Sequence, residues 1–217
     1  YRFMRVMRIA IHPACQHLGL GSQCISALTA YYRDHADFLG CSFAATPEVL
    51  RFWRKQGWQA VRLGLSKDMA TGCHAAVLLT GLQPESEAQL VFWQQQFQQQ
   101  LPVWLAHLLS ELSYDIILPL LQSSHAMSLT QQELADLTAF SDHHRSADHC
   151  WPAVLRLMQV SAEKLSQLPQ TQSSILIQRF WQGKSWGWLA QQHQLTGQKA
   201  VIQQLRLAVK KLLSLPG

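Results

Sequence analysis

The residues best spaced to do chemistry lie early in the chain, in Gln16-His17-Leu18-Gly19-Leu20-Gly21-Ser22. An apolar run, Arg5 to Ile11, ends at His12-Pro13; a glycine-rich turn follows and a helix opens. The first N–H groups of a helix have no acceptor within it, and the helix dipole makes that end positive. Such a turn holds an anion such as a phosphate. Glycine matters here because a side chain at Gly19 or Gly21 would keep a phosphate from the backbone.

Two other clusters carry reactive groups. Asp142-His143-His144 with Asp148-His149-Cys150 offers metal-ligand types, but the spacing fits no standard zinc pattern, and we read a polar loop between helices with no metal. Near the C-terminus Lys199, Gln203, Arg206 and Lys210 recur at helical spacing on one face, with Ile202, Leu205, Val209 and Leu212 on the other. With Lys184 and Lys211 they form a basic segment that could track phosphates, or a plain amphipathic helix with a solvated basic face. A turn at Leu195 to Gly197 between two helices has the form of a helix-turn-helix, and Trp186 and Trp188 could pack or stack on bases.

The elements that must position these groups follow from periodicity and stop signals. Residues 4–11 read as a buried strand, Leu20 to about His35 as a helix, and Phe38 to Phe43 as a second strand. Thr46 caps the next helix, with Pro47 at its first position, Glu48 in its first turn and Gly57 as its stop. Trp58–Leu65 and His74–Leu82 read as antiparallel strands joined by the loop Ser66 to Cys73. Beyond Pro84 the strand signals end. A glutamine-rich helix runs from Glu85 to Leu101, and Pro102 is expected to break or kink it before Val103–Leu112. Helices follow at Tyr114–Leu121, after the capping box Thr130-x-x-Glu133, at Trp151–Leu168, and near 172–182, 185–194 and 198–214. The fold class is therefore α/β, a mixed sheet with flanking helices, followed by an all-α domain. The domains are residues 1–83 and 84–217.

Charge is uneven along these segments. Residues 1–82 hold nine Lys/Arg against four Asp/Glu, residues 83–168 three against nine, and residues 169–217 six against none. Two basic ends around an acidic middle suit a polyanion held at separate surfaces. Charged residues make up 14% of the chain, low for an isolated domain, so some surface is expected to be covered by other parts of a larger protein. No apolar run approaches a membrane span. Five cysteines without a C-x-x-C pair read as reduced thiols in a cytoplasm. Nothing in the sequence fixes the oligomeric state.

Gln16-x-x-Gly19-x-Gly21 resembles the acetyl-CoA pyrophosphate signature of the GNAT acetyltransferases. Together with Arg8–Pro13, Ser42–Trp53 and Arg62 to His74, it resembles the tRNA(Met) cytidine acetyltransferases, which acetylate N4 of the wobble cytidine in elongator tRNA(Met). The resemblance implies an acyltransferase with acetyl-CoA as cofactor and tRNA, at its anticodon loop, as partner. The backbone of Ile9, Ala10 and Ile11 would pair with the pantetheine arm; Gln16, His17, Leu18, Gly19, Leu20, Gly21 and Ser22 would wrap the pyrophosphate. Glu48 and Lys55 would add cofactor contacts, although an acid in a first helical turn also serves the dipole alone. Lys184, Lys199, Arg206, Lys210 and Lys211 would hold RNA.

In the family a helicase-like module using ATP and Mg precedes the acetyltransferase domain. This chain has no GxxxxGK[S/T] loop, and Tyr1 falls just before the strand that leads into the glycine turn. It reads as a C-terminal piece with the second half of a GNAT fold. Many GNAT enzymes protonate the thiolate with a Tyr; the matching position here is Trp53. His12 is a candidate base, and also a turn residue before proline, so the catalytic residues stay unassigned. Cytidine's amine is a poor nucleophile, which places orientation and backbone N–H stabilisation ahead of a dedicated base. Two other readings remain: a GNAT acting on a protein or small amine, and a nucleic-acid-binding module without catalysis.

Overall fold

A computed structural model describes residues 1–122 and 128–216. The chain divides into two compact units, Tyr1–Gln100 and Leu101–Gly217.

The first unit is built on a four-stranded sheet in the order β1-β2-β4-β3, with β1 Phe3–Val6, β2 Phe38–Ala44, β3 Gln59–Lys67 and β4 His74–Gly81. β1 runs parallel to β2; the other pairs are antiparallel. Two helices pack on it, α1 Leu20–Tyr32 and α2 Pro47–Lys55. Phe38, Leu39, Leu50, Trp53, Trp58, Leu63 and Leu78 are buried, and their removal from water is the main favourable term in holding the layers together. Trp53 and Trp58 pack with ring centres 4.5 Å apart. The capping signals act as read: Thr46 Oγ1 accepts from the Val49 N–H (3.4 Å), and Gly57 ends the helix region at φ +82°.

The first strand is shorter than residues 4–11, and it is mostly exposed where the apolar run predicts a buried strand. Its ladder runs from Phe3↔Phe38 to Val6↔Cys41 and stops, while β2 continues to Ala44 against β4 alone. β1 is an edge strand, so residues 7–12 have no second neighbour to hold them in a ladder once they part from β2. That parting is what gives the glycine turn its space.

Helix α3, Pro84–His107, runs through Pro102 instead of breaking there. Proline removes one helical hydrogen bond, but Phe97, Leu101 and Leu105 are buried around it and side-chain packing outweighs the loss. The second unit continues with α4 Tyr114–Leu120, α5 Gln131–Ser141, α6 Trp151–Val160, α7 Gln170–Leu176, α8 Trp186–Gln192 and α9 Gln198–Ser214. The expected helix Trp151–Leu168 is split, its last part a 3₁₀ segment from Ala162 to Gln167. After α7 the chain forms a π-helical turn, Ile177–Trp181. The capping box is formed on both sides: Thr130 Oγ1 accepts from the Glu133 N–H at 3.2 Å, and the Glu133 carboxylate accepts from the Thr130 N–H at 2.7 Å. Among the described residues no helix is long and apolar enough to cross a membrane.

Candidate functional site

The glycine turn is assembled as a short 3₁₀ segment, Pro13–Cys15, followed by two left-handed residues, His17 (φ +62°) and Gly19 (φ +81°). His12 starts it: its Nδ1 accepts from the Ala14 N–H at 3.2 Å. Gln16 Nε2 donates to the Ile11 carbonyl at 3.1 Å, folding the loop back on the strand end. Gly19 is the N-cap of α1 and supplies no side-chain cap, so the N–H groups of Leu20, Gly21 and Ser22 begin the helix without an intrahelical acceptor.

This turn forms one wall of a cavity of about 590 Å³; the facing wall is α2. Ten of the expected residues line it: Ile9, Ile11, Gln16, His17, Gly19, Leu20, Gly21, Ser22, Glu48 and Lys55. Ala10 and Leu18 do not; Leu18 is 68% exposed. Nor does His12, whose ring serves the turn. Cys15, Val49, Phe52, Trp53 and Gln56 complete the lining. Phe52 on α2 and Gln56, its C-cap, lie four and eight residues after Glu48, so helical periodicity carried forward from Glu48 is the signal that finds them, whereas Val49 is off that series.

The two walls are tied together by polar and van der Waals contact. Gln56 Nε2 donates to Ser22 Oγ at 2.8 Å, linking the end of α2 to the first turn of α1. A Cβ at Gly21 would meet the Phe52 ring at 3.2 and 3.3 Å, so the ring would have to give by a few tenths of an ångström to admit one. Glu48 pairs with Arg51 at 3.3 Å while remaining on the cavity wall. Lys55 adds a cation on the same wall. Uncapped N–H groups, a glycine without a Cβ and a lysine together fit a diphosphate, and the apolar Ile9, Ile11, Val49 and Phe52 fit a long neutral arm. Trp53 is buried and carries no hydroxyl that titrates. Burial pushes the Cys41 thiol up to about 12, which leaves it a packing residue of β2.

In the second unit the basic residues are not brought together as one free face. The Arg206 guanidinium is turned inward: it donates to the carbonyls of Phe140 and Arg145 and lies 4.8 Å from the Phe140 ring centre. Lys184 pairs with Glu111, its side chain 15% exposed. Lys210 pairs with Asp142 at 3.3 Å. Lys199 and Lys211 are exposed on α9. The turn between α8 and α9 is present, with Gln194 at φ +54° and Gly197 at φ +142°. Of the two tryptophans, Trp186 stacks against the Arg179 guanidinium at 4.1 Å, whereas Trp188 is exposed. In the loop after α5, Asp142 faces Lys210, His149 Nδ1 meets the Ser146 hydroxyl at 2.8 Å and the Cys150 sulfur is buried against the Asp136 carbonyl.

Comparison with known proteins gives two family matches, which change over between residues 83 and 87. The family described as GNAT acetyltransferase 2 matches residues 33–83, and the family described as tRNA-binding domain matches residues 87–215. A protein of Nitrosococcus halophilus named tRNA(Met) cytidine acetyltransferase TmcA is 31% identical over 96% of this chain and 29% of its own length. The protein of that name from Vibrio cholerae is 31% identical over 96% of this chain and 28% of its length, and that from Thermofilum pendens 30% identical over 85% and 24%. The chain thus spans less than a third of the length of these curated relatives. Relatives 31% identical over 96% of this chain, with the two family matches, show that it belongs to the tRNA(Met) cytidine acetyltransferase family.

Proposed function

We propose that this chain is the cofactor-holding and tRNA-docking part of an acetyltransferase that forms N4-acetylcytidine at the wobble position of elongator tRNA(Met). The observation that carries the reading is the cavity between the glycine turn and α2, where ten residues expected from the family resemblance meet on one pair of walls. Acetyl-CoA, when bound, supplies an activated acetyl thioester. The N–H groups of Leu20, Gly21 and Ser22, with the Ser22 hydroxyl and Lys55, hold its diphosphate. Ile9 and Ile11 lie along the neutral arm, on the segment that has left β2.

Trp53 donates no proton to a leaving thiolate, and His12 is occupied by the turn, so the chain's own contribution to chemistry is orientation and electrostatic preorganisation. The target base must leave its stack to reach the thioester, as bases of single-stranded loops do. ATP use belongs in this proposal to a helicase-like module of the longer protein. The site of action is the cytoplasm.

The test is twofold. Isothermal titration calorimetry should show acetyl-CoA binding to the chain, and mass spectrometry of elongator tRNA(Met) incubated with protein and acetyl-CoA should show N4-acetylcytidine. Absence of cofactor binding would leave only an RNA-docking role. Acetylation of a protein or small amine in place of tRNA would move the chain to another GNAT substrate class.

A further inference from the structure

The second unit holds a cavity of its own, about 460 Å³, within the range of small-ligand pockets. It is lined from the loop before α4, from α4 and α7, and from the π-helical turn, the segment leading to α8 and α8 itself; no residue of α9 lines it. It is not a phosphate site. Its one cation, Lys184, is paired with Glu111, and Asp115 adds a second carboxylate to the wall. Hydrogen bonding to Lys184 holds the Glu111 carboxyl below its usual range, so it stays ionised and would repel a phosphate.

What the wall does offer is planar and neutral. Trp188 has 37% of its surface exposed, and the Lys184 ammonium stands 5.0 Å from its ring centre. A cation–π contact of this kind uses one face of an indole, and a stacked ring would use the other. Gln178 lies in the π-helical turn, a rare backbone form concentrated at functional sites. Its Oε1 is 2.7 Å from His193 Nε2; an amide oxygen only accepts, so Nε2 carries the proton and Nδ1 is left as an acceptor. Burial lowers the imidazole's pKa, which keeps the ring neutral near pH 7. The Gln178 amide nitrogen supplies donors beside it. Gln182, by contrast, spends its amide on the Leu112 carbonyl at 2.8 Å and is structural.

We infer that this cavity takes one unstacked nucleobase of the bound RNA, with Trp188 as its stacking platform and the Gln178–His193 pair reading its edge. The inference rests on the reading of this unit as the RNA-holding part. The carboxylates on the wall favour a base with an exocyclic amine, since a carboxylate accepts from such a group. The sugar-phosphate strand stays outside, so this contact carries no salt dependence, unlike the lysines of α9.

The experiment is fluorescence anisotropy of labelled elongator tRNA(Met), and of a blunt-ended RNA duplex as control, measured over a range of salt. Trp188→Ala and Gln178→Ala are each expected to weaken tRNA binding about tenfold at every salt concentration, within what one base–aromatic stack contributes. The logarithmic salt slope stays unchanged, Trp188→Phe restores most of the affinity, and the duplex binds all forms alike. Unaltered tRNA affinity in both alanine variants overturns the proposal, as does a loss confined to low salt or one shared with the duplex. Failure of the unsubstituted chain to bind tRNA at all would instead remove the RNA reading of the unit, and this pocket's ligand with it. Circular dichroism melting of each variant separates loss of fold from loss of contact.

Discussion

At the scale of single residues, the two glycines of the cradle do different jobs. Gly19 is needed for its backbone: φ is +81°, while a Cβ there would meet nothing within 4 Å. Gly21 is needed for its missing side chain, because a Cβ would press on the Phe52 ring at 3.2 Å. Gly21→Ala would shift the Phe52 ring by a few tenths of an ångström and place a methyl group in the cradle. It should weaken acetyl-CoA binding at least tenfold, about 1.4 kcal/mol, in calorimetry. Retained affinity would mean that the diphosphate lies elsewhere. Gly19→Ala should cost stability through strain, about 1–2 kcal/mol for a left-handed alanine.

At the scale of elements, the site is a clasp between the start of α1 and the length of α2. The Gln56 amide donates to Ser22 Oγ, and a hydroxyl oxygen engaged as acceptor keeps its own O–H free to donate. We expect that proton to be given to the diphosphate. Gln56→Ala should then weaken binding of coenzyme A severalfold while leaving pantetheine, which has no diphosphate, unaffected. Equal losses for both ligands would show that Gln56 acts only by packing the helices. The same scale explains α3: an isolated sequence with Pro102 could end there, but the helix continues through it with buried side chains on both sides.

For the molecule as a whole, charge read by segment is not charge read by surface. Residues 169–217 carry six cations and no acid. In the fold, Glu111 and Asp142 come from outside that segment to meet Lys184 and Lys210, and Arg206 is spent on carbonyls. Phosphate contact should fall mainly to Lys199 and Lys211. Alanine at each should reduce the logarithmic salt slope of tRNA binding by about one while leaving the urea midpoint unchanged. Arg206→Ala should do the reverse, destabilising the second unit by about 1–3 kcal/mol through its orphaned carbonyl partners and leaving the slope alone. An Arg206 variant that lowered the slope without losing stability would return that residue to the RNA surface.

What the sequence determined by itself was everything set by neighbours a few residues apart: the Thr46 cap, the Thr130–Glu133 capping box, the Gly57 stop, the glycine turn and the change from strands to helices after Pro84. These are interactions within one turn of backbone, and residue type together with spacing specifies them. Only the tertiary structure decided which of the expected groups are available. Gln56 meets Ser22 across 34 residues, Arg206 meets Phe140 across 66 and Lys184 meets Glu111 across 73. The end of the first strand at Val6 likewise depends on where β2, thirty-five residues away in register, ceases to pair with it. Spacing along the chain carries no record of such partners, because they are chosen by how the buried faces pack and not by the residues beside them.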